Sequence, residues 1–170
     1  KKRGIIRSVF AYDLKSLNFA IKQKVEMIKF NSSDLLNIDM LDRIAKTNIP
    51  LSLGTGSSTI EEIRSALRYL YKKNKKIKII LMHGVQNFPT SPKNERVRKL
   101  ETIKKEFNCN VGYANHTEGN LNASIFIDLI AVGKNVSMLE KHITIDRKLK
   151  EYDYFSSLEP KEFEQYVKNI

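Results

Sequence analysis

Short apolar runs alternate with longer amphipathic segments along almost the whole chain, and this alternation limits the fold more than any other feature of the sequence. The apolar runs predict six strands, at residues 4–10, 26–30, 51–53, 78–83, 110–114 and 136–140. The segments after them predict helices: one capped by Asp13, then 39–45, one that ends near Lys72, 95–107, 121–132 and 161–170. Strands and helices in strict alternation are typical of a parallel sheet covered by helices.

Two architectures share this pattern, an open doubly wound sheet and part of a (βα)8 barrel. The length of 170 residues favours the open sheet, because a complete barrel usually has about 250 residues. Neither a dinucleotide-binding G-x-G-x-x-G nor a P-loop occurs, and Gly54-Thr55-Gly56 alone is a weak signal. The alternation by itself therefore leaves both architectures open.

Positive charge is the main feature of the composition. Lysine and arginine number 30 against 19 aspartates and glutamates, a formal net charge of +11. The densest basic run, residues 72–78, falls between a predicted helix and a predicted strand, and the other lysines are mixed with glutamates. A solvated surface explains this distribution better than a nucleic-acid interface, and an anionic small-molecule substrate fits the charge at least as well.

Cysteine content and hydropathy indicate the redox environment of the protein and whether it crosses a membrane. Cys109 is the single cysteine of the sequence, which excludes a disulfide framework and favours a reduced thiol in a cytoplasmic protein. No run approaches the roughly 20 apolar residues that cross a bilayer. We therefore expect no membrane partner.

Polar side chains gather where the predicted strands end, which is where parallel α/β folds build their sites. Lys29 is followed by Ser32 and Asp34, and each of the three histidines, His83, His116 and His142, lies at a strand end. Strand alternation places Glu140 on the same face as His142. A carboxylate with an imidazole suits a divalent metal, and a lysine with hydroxyls suits a phosphate.

Six segments together resemble the sialic acid synthase family, the phosphoenolpyruvate-dependent N-acetylneuraminate or nonulosonic acid synthases. They occur in the order and at the spacing of that family, at residues 28–34, 50–59, 88–90, 111–117, 140–147 and 157–160. The resemblance implies a (βα)8 TIM barrel, of which residues 1–170 are a partial domain covering about strands 3–8. It also implies that the first two βα units and a C-terminal antifreeze-like domain are absent from this sequence. The fragment alone is then expected to be inactive, and the complete protein to be a homodimer.

The reaction that the resemblance implies joins phosphoenolpyruvate to the open-chain aldehyde of an N-acetyl amino sugar, such as N-acetylmannosamine, and releases phosphate. Carried over by position, His116 and His142 are the ligands of a divalent metal, normally Mn²⁺ with Mg²⁺ or Co²⁺ as alternatives, and Glu140 lies beside the reacting centre. The resemblance also assigns substrate-binding residues: Lys29, Ser32 and Ser8 toward the phosphate or carboxylate of phosphoenolpyruvate, and Asp34 and Asp153 toward the hydroxyls or amide of the sugar. Gln86 and Phe88 are further predicted substrate-binding residues.

Several positions depart from the pattern of that family. They are Gln86 for asparagine, Phe88 for tyrosine, Ala114 for serine, Asn115 for aspartate, Gly54 within Ser-Thr-Gly, and residues 150–152 in place of Pro-Gly-Pro. These departures affect the phosphate cradle and the sugar pocket more than the metal pair, and a related sugar such as a di-N-acetylated precursor is compatible with them. Two alternatives remain: a catalytically degenerate homologue, and a basic α/β module that binds anionic phosphosugars or nucleotides.

Overall fold

The computed structural model describes residues 4–119 and 122–170. This part of the chain has seven strands and six α-helices, with an α-helix after every strand except the sixth. The strands are β1 (Ser8–Phe10), β2 (Met27–Phe30), β3 (Leu51–Gly54), β4 (Ile79–His83), β5 (Asn110–Asn115), β6 (Met138–Ile143) and β7 (Ser157–Leu158). The helices are α1 (Leu14–Lys22), α2 (Ile38–Ala45), α3 (Ile60–Lys73), α4 (Lys99–Phe107), α5 (Asn122–Gly133) and α6 (Pro160–Asn169).

The chain divides into two compact units, Lys1–Met82 and His83–Ile170. In the first unit, β1, β2, β3 and β4 pair in parallel and in chain order. Their apolar side chains, among them Ile28, Phe30, Leu53 and Leu81, are fully buried. Helices α1, α2 and α3 each place a buried apolar face against this sheet layer, as expected for the amphipathic segments that follow the strands.

Side-chain caps fix where two helices of the first unit begin. The Asp13 carboxylate accepts a hydrogen bond from the Ser16 amide at 2.6 Å, and the Ser16 hydroxyl accepts one from the Asp13 amide at 3.1 Å. Thr59 and Glu62 make the same reciprocal pair at the start of α3. Each capping box satisfies two amide groups that the helix cannot pair. The sequence offers two candidate capping boxes for α3, Thr59-x-x-Glu62 and Ser58-x-x-Glu61, and the structure uses the first.

In the second unit, β5 pairs with β6, and β6 with β7, all in parallel. Ala114 lies level with Glu140, and His142 lies level with Ser157. The largest buried side chain of this unit is Tyr113, on β5. Pro160 occupies the first turn of α6, where its missing N–H has no helical partner to lose.

The prediction of six strands is wrong by one for the residues that the structure describes. The additional strand, β7, has two residues, which is too short for any alternation to be seen in the sequence. Gly119 explains why β7 fits there, because a Cβ at this position would collide with the backbone of Ser157. Strand β6 also runs to Ile143 rather than ending at Glu140, so His142 lies within the strand.

Two other predicted elements are shorter in the structure. Strand β1 begins at Ser8 and not at residue 4, since Gly4 has a positive φ of 69° and Ile5 and Ile6 are exposed. Helix α4 begins at Lys99 and not at Glu95, because residues 92–94 form a 3-10 turn and the Glu95 side chain turns inward. Leu121, the predicted first residue of α5, lies outside the described residues. No helix in residues 4–119 and 122–170 has the length and hydropathy needed to cross a membrane.

Candidate active site

Three potential metal ligands converge at the ends of β5 and β6. His116 directly follows β5, and Glu140 and His142 lie two residues apart on β6. One ligand atom from each side chain lies within 4.8 Å of the other two. His116 is 3% exposed, while Glu140 and His142 are half-buried, so the cluster combines a fixed side chain with two that solvent reaches.

The His116 ring is held by a hydrogen bond through one of its two nitrogens. Its Nδ1 lies 2.5 Å from the carbonyl oxygen of Val85. A carbonyl accepts only, so Nδ1 carries the proton and Nε2 keeps a free lone pair. Metal-binding histidines commonly donate their second ring N–H to a carbonyl or carboxylate in this way. Burial lowers the pKa of His116, which favours the neutral ring that binds metals.

His142 has a comparable oxygen beside its ring. Its Nδ1 lies 3.5 Å from Oδ2 of Asp153, a residue whose backbone has a positive φ of 58°. Aspartate tolerates this left-handed conformation better than most residues. The structure thus places the predicted sugar-binding residue Asp153 next to a predicted metal ligand.

The donor set fits a divalent cation. Two imidazole nitrogens and one carboxylate oxygen are ligands that Mn²⁺ and similar ions accept. Ligand atoms about 2.1 Å from a metal lie up to about 4 Å apart, and the candidate ligand atoms here lie within 4.8 Å of one another. These three ligands leave other coordination positions for water or substrate.

Phe88 forms an aromatic wall at this cluster. Its ring centroid lies 4.2 Å from that of His116 and 5.7 Å from that of His142. The peptide bond between Phe88 and Pro89 is cis, and Thr90 donates its amide to the His116 carbonyl at 2.8 Å. Gln86, from the same segment, is exposed. The phenylalanine gives the cluster a ring surface without a hydroxyl.

Sequence reasoning missed Glu95, a buried carboxylate in the second unit. It is 1% exposed and accepts hydrogen bonds from the Tyr113 hydroxyl and the Thr117 hydroxyl, both at 2.7 Å. Burial and the nearby carboxylate raise the pKa of Tyr113, so its hydroxyl stays a donor. Thr117 follows His116 directly, so Glu95 helps to fix the end of β5. Its place in a charged, amphipathic-looking segment gave no signal of this burial.

A second polar cluster lies in the first unit, around Lys29 and Ser32. Lys29 is half-buried on β2, with Nζ 5.3 Å from the ring centroid of Phe10. Ser32 is 7% exposed in the turn that follows, and its hydroxyl accepts a hydrogen bond from the Ser57 hydroxyl at 2.8 Å. Ser57 belongs to the segment after β3, which sequence reasoning did not include in this site.

Gly54 allows β3 to approach this turn closely. A Cβ at Gly54 would lie 2.8 Å from the Ser32 amide nitrogen and 3.2 Å from the Phe30 carbonyl oxygen. Backbone atoms cannot move aside as a flexible side chain can, so a larger residue would displace the turn. Gly54 therefore suits the close packing of β3 against the Ser32 turn.

The other substrate-binding residues predicted in the first unit, Asp34 and Ser8, lie farther from Lys29 in the strand register or are more exposed than Ser32. Asp34 ends the turn that contains Ser32 and is half-buried, whereas Ser8 is exposed and lies level with Met27, two residues before the level of Lys29. Ser52 on β3 does lie level with Lys29. Its hydroxyl is buried, without a hydrogen-bond partner among the described residues. Nothing in the sequence distinguished Ser52 from the other serines.

The fold and these side chains define a class of protein: a parallel α/β protein whose strand ends carry two imidazoles and a carboxylate that could hold a metal ion. The sequence profile of the NeuB family matches residues 1–170, the whole chain. The chain therefore belongs to the NeuB family, which confirms the predicted resemblance to the sialic acid synthases.

Named relatives support this membership. The N,N'-diacetyllegionaminic acid synthase of Campylobacter jejuni is 31% identical over 171 residues, which is 100% of this chain and 50% of the relative. The enzyme of the same name from Legionella pneumophila is 30% identical over 162 residues, 94% of this chain and 44% of the relative. The chain thus spans about half the length of the curated relatives that it matches.

A solved structure has the same fold. The crystal structure of an N-acetylneuraminic acid (sialic acid) synthetase from Leptospira borgpetersenii superposes with a TM-score of 0.89 at 31% identity. The match covers 99% of this chain and 56% of that chain. The alternation of strands and helices predicted from the sequence is therefore part of a fold that this solved synthetase also has.

Proposed function

We propose that the protein is a nonulosonic acid synthase that condenses phosphoenolpyruvate with the open-chain aldehyde of an N-acetyl amino sugar. The observation that supports this most directly is the cluster of His116, Glu140 and His142, with an oxygen beside Nδ1 of each imidazole. The names of the Campylobacter and Legionella relatives agree with this reaction class.

In the proposed reaction, C3 of phosphoenolpyruvate bonds to the aldehyde carbon, water adds at C2, and the bond from C2 to the phosphate oxygen breaks. The products are a 2-keto acid and inorganic phosphate. A divalent cation, Mn²⁺ in our proposal, would supply Lewis-acid polarisation of the aldehyde oxygen. His116 and His142 would hold that ion, and Glu140, half-buried beside them, would orient or exchange protons with groups at the reacting centre.

The remaining predicted residues divide between two kinds of binding. Lys29 supplies a point charge, and Ser32 a hydroxyl already aligned by Ser57, for the phosphate of phosphoenolpyruvate. Ser52 adds a buried hydroxyl level with Lys29, while Ser8 stays a prediction for this subsite and Asp34 stays a prediction for the sugar. In the second unit, Asp153, Phe88 and Gln86 would contact the sugar, whose acceptor form we propose to be mono- or di-N-acetylated.

The fold proposal is a (βα)8 barrel to which this chain contributes about strands 3–8. Strands β1–β6 with helices α1–α6 supply those six βα units, and the two-residue β7 is an addition between β6 and α6. We also propose that the complete protein is a homodimer, as the resemblance implies.

The direct test measures phosphate release by the complete protein from phosphoenolpyruvate, with N-acetylmannosamine or a di-N-acetylated amino sugar, in the presence and absence of Mn²⁺. We expect release that needs both the sugar and the metal, and a 2-keto acid product of matching mass. His142→Ala should abolish turnover. Ile143→Ala, on the same strand at a side chain that is 64% exposed, is the matched control and should retain it.

Other results would overturn the proposal. Undiminished turnover in His142→Ala would remove the metal assignment. Metal binding without turnover for any candidate sugar would favour a degenerate homologue. Binding to random DNA that weakens steeply with salt and needs no metal would favour the basic binding module.

A further inference from the structure

Two buried polar side chains, those of Asn115 and Lys141, contact the same carboxylate, that of Asp128. Asn115 and Lys141 lie level with each other on β5 and β6, and each directly precedes a ligand histidine, His116 or His142. Successive side chains on a strand point to opposite faces. Asn115 and Lys141 accordingly reach toward α5, where they meet Asp128.

The contacts of Asp128 are buried, and the Tyr166 hydroxyl lies beside the same carboxylate. The Asn115 side-chain amide donates to Oδ1 of Asp128 and to the Ser124 carbonyl oxygen, both at 2.9 Å. Nζ of Lys141 lies 3.5 Å from Oδ2 of Asp128 and donates to the Ser124 hydroxyl. Asn115, Ser124 and Asp128 have no exposed surface, and the Lys141 side chain is 2% exposed.

We propose that Asp128 is a positioning residue for the metal site: one carboxylate of α5 holds, from behind, the strand segments on which His116 and His142 lie. This inference rests on the proposed function, because it assumes that the two histidines bind the metal. Asp128 does not touch the cluster and acts only through Asn115 and Lys141.

The energetics of burial favour this role over simple stabilisation. A buried ion pair is often no more stabilising than apolar side chains of similar volume, because desolvation offsets the attraction. A buried ion pair does fix the positions of its two side chains. If one partner moves away, the other is left as an unpaired buried charge, which costs much free energy. Metal ligands need positions fixed within about 0.5 Å, and Asp128 fixes the neighbours of two ligands with a single group.

The test is Mn²⁺ binding by the complete protein, followed as loss of the electron paramagnetic resonance signal of the free ion, together with thermal unfolding. Asp128→Asn keeps the shape but removes the charge, and we expect its Mn²⁺ dissociation constant to rise about 10–100-fold, the usual effect of groups behind metal ligands. The control is Ile127→Ala, at the preceding buried position of α5. It should lower thermal stability and leave Mn²⁺ affinity within about twofold of the unsubstituted protein.

A double variant covers the case in which Asp128→Asn does not fold. Asp128→Leu with Lys141→Met replaces the buried charges by apolar groups, which proteins often tolerate. We expect it to fold and still to bind Mn²⁺ weakly. Unchanged affinity in a folded variant, single or double, overturns the inference and leaves the proposed function standing. Failure of the unsubstituted protein to bind Mn²⁺ overturns both.

Discussion

The buried side-chain amide of Asn115 donates to two acceptors, the Ser124 carbonyl and the Asp128 carboxylate. Asn115→Asp would place a second carboxylate beside Asp128 and remove the donor to both acceptors. We expect a loss of about 1–3 kcal/mol in the free energy of unfolding at pH 8. Urea unfolding of the variant and the unsubstituted protein measures it.

The loss of unfolding free energy in Asn115→Asp should also depend on pH, and the direction of that dependence can be derived. Burial already raises the pKa of Asp128, and a neighbouring carboxylate raises it further, so one proton is retained in the folded variant. A raised folded pKa means stability that is present at low pH and lost as the pH rises through that pKa. The deficit of Asn115→Asp should therefore be smaller at pH 5 than at pH 8. An equal loss of unfolding free energy at pH 5 and pH 8 would contradict this prediction. Adding Asp128→Asn to Asn115→Asp should make the loss independent of pH.

His83 makes a second prediction at this scale. It is 1% exposed, and burial, with Lys99 nearby, lowers its pKa from 6.5 to about 4. A lowered folded pKa means that stability is lost as the pH falls from the unfolded value toward the folded one. Between pH 7.5 and pH 5, His83 should account for a loss of about 2 kcal/mol. His83→Met should show a pH profile flatter by that amount in urea unfolding, and a parallel profile would contradict it.

These residues also mark how far the sequence predicts the site. Strand alternation was enough to place Glu140 with His142, and the segment resemblance was enough to name His116. Glu95 and Asp128 could not be predicted, because a buried carboxylate looks like any surface carboxylate until its partners from distant segments are known. Ser57 and Ser52 were missed for the same reason, since their relation to Ser32 and Lys29 depends on strand register.

Among the elements, β3 and the Ser32 turn are coupled through Gly54. Gly54→Ala would bring a methyl group against the backbone of the turn. We expect it to cost about 1–3 kcal/mol of unfolding free energy and to weaken phosphoenolpyruvate binding by moving Ser32. Gly133→Ala, at the end of α5 with open space around its Cβ position, is the matched control. It should be neutral or stabilise by up to about 1 kcal/mol. Equal behaviour of the two variants in urea unfolding would refute the coupling.

Element boundaries show which local signals are reliable. The caps at Asp13 and Thr59 fixed helix starts because their partners lie three residues away in the sequence. The start of α4 was misplaced because Glu95 is held by Tyr113 and Thr117, and neither partner is local. Strand β7 exists through its pairing with β6 and the space left by Gly119, so no property of residues 157–158 alone could predict it.

At the scale of the whole molecule, the +11 charge coexists with large exposed apolar side chains. In the first unit these include Ile5, Ile6 and Phe19, and in the second Phe126 and Ile145, which is 84% exposed. On α5, Phe126, Leu129 and Ile130 are exposed at spacings of three and four residues and so share one helix face, and a contiguous apolar face usually marks an interface. Net positive charge opposes self-association, whereas apolar contact favours it, and salt separates the two because it screens charge over about 10 Å at 0.1 M.

We therefore expect the isolated 1–170 polypeptide to self-associate, and to do so more strongly as salt screens the repulsion between its positive charges. Sedimentation velocity between about 0.05 and 0.5 M salt should show a sedimentation coefficient that rises with salt and with protein concentration. Replacing two exposed side chains of α5 by Phe126→Ser and Ile130→Ser should reduce the association without lowering the helix content seen by circular dichroism. Association that weakens with salt would instead indicate contacts between opposite charges. If the polypeptide is a monomer at every salt concentration and has full synthase activity, the prediction that its exposed apolar surface drives association is wrong.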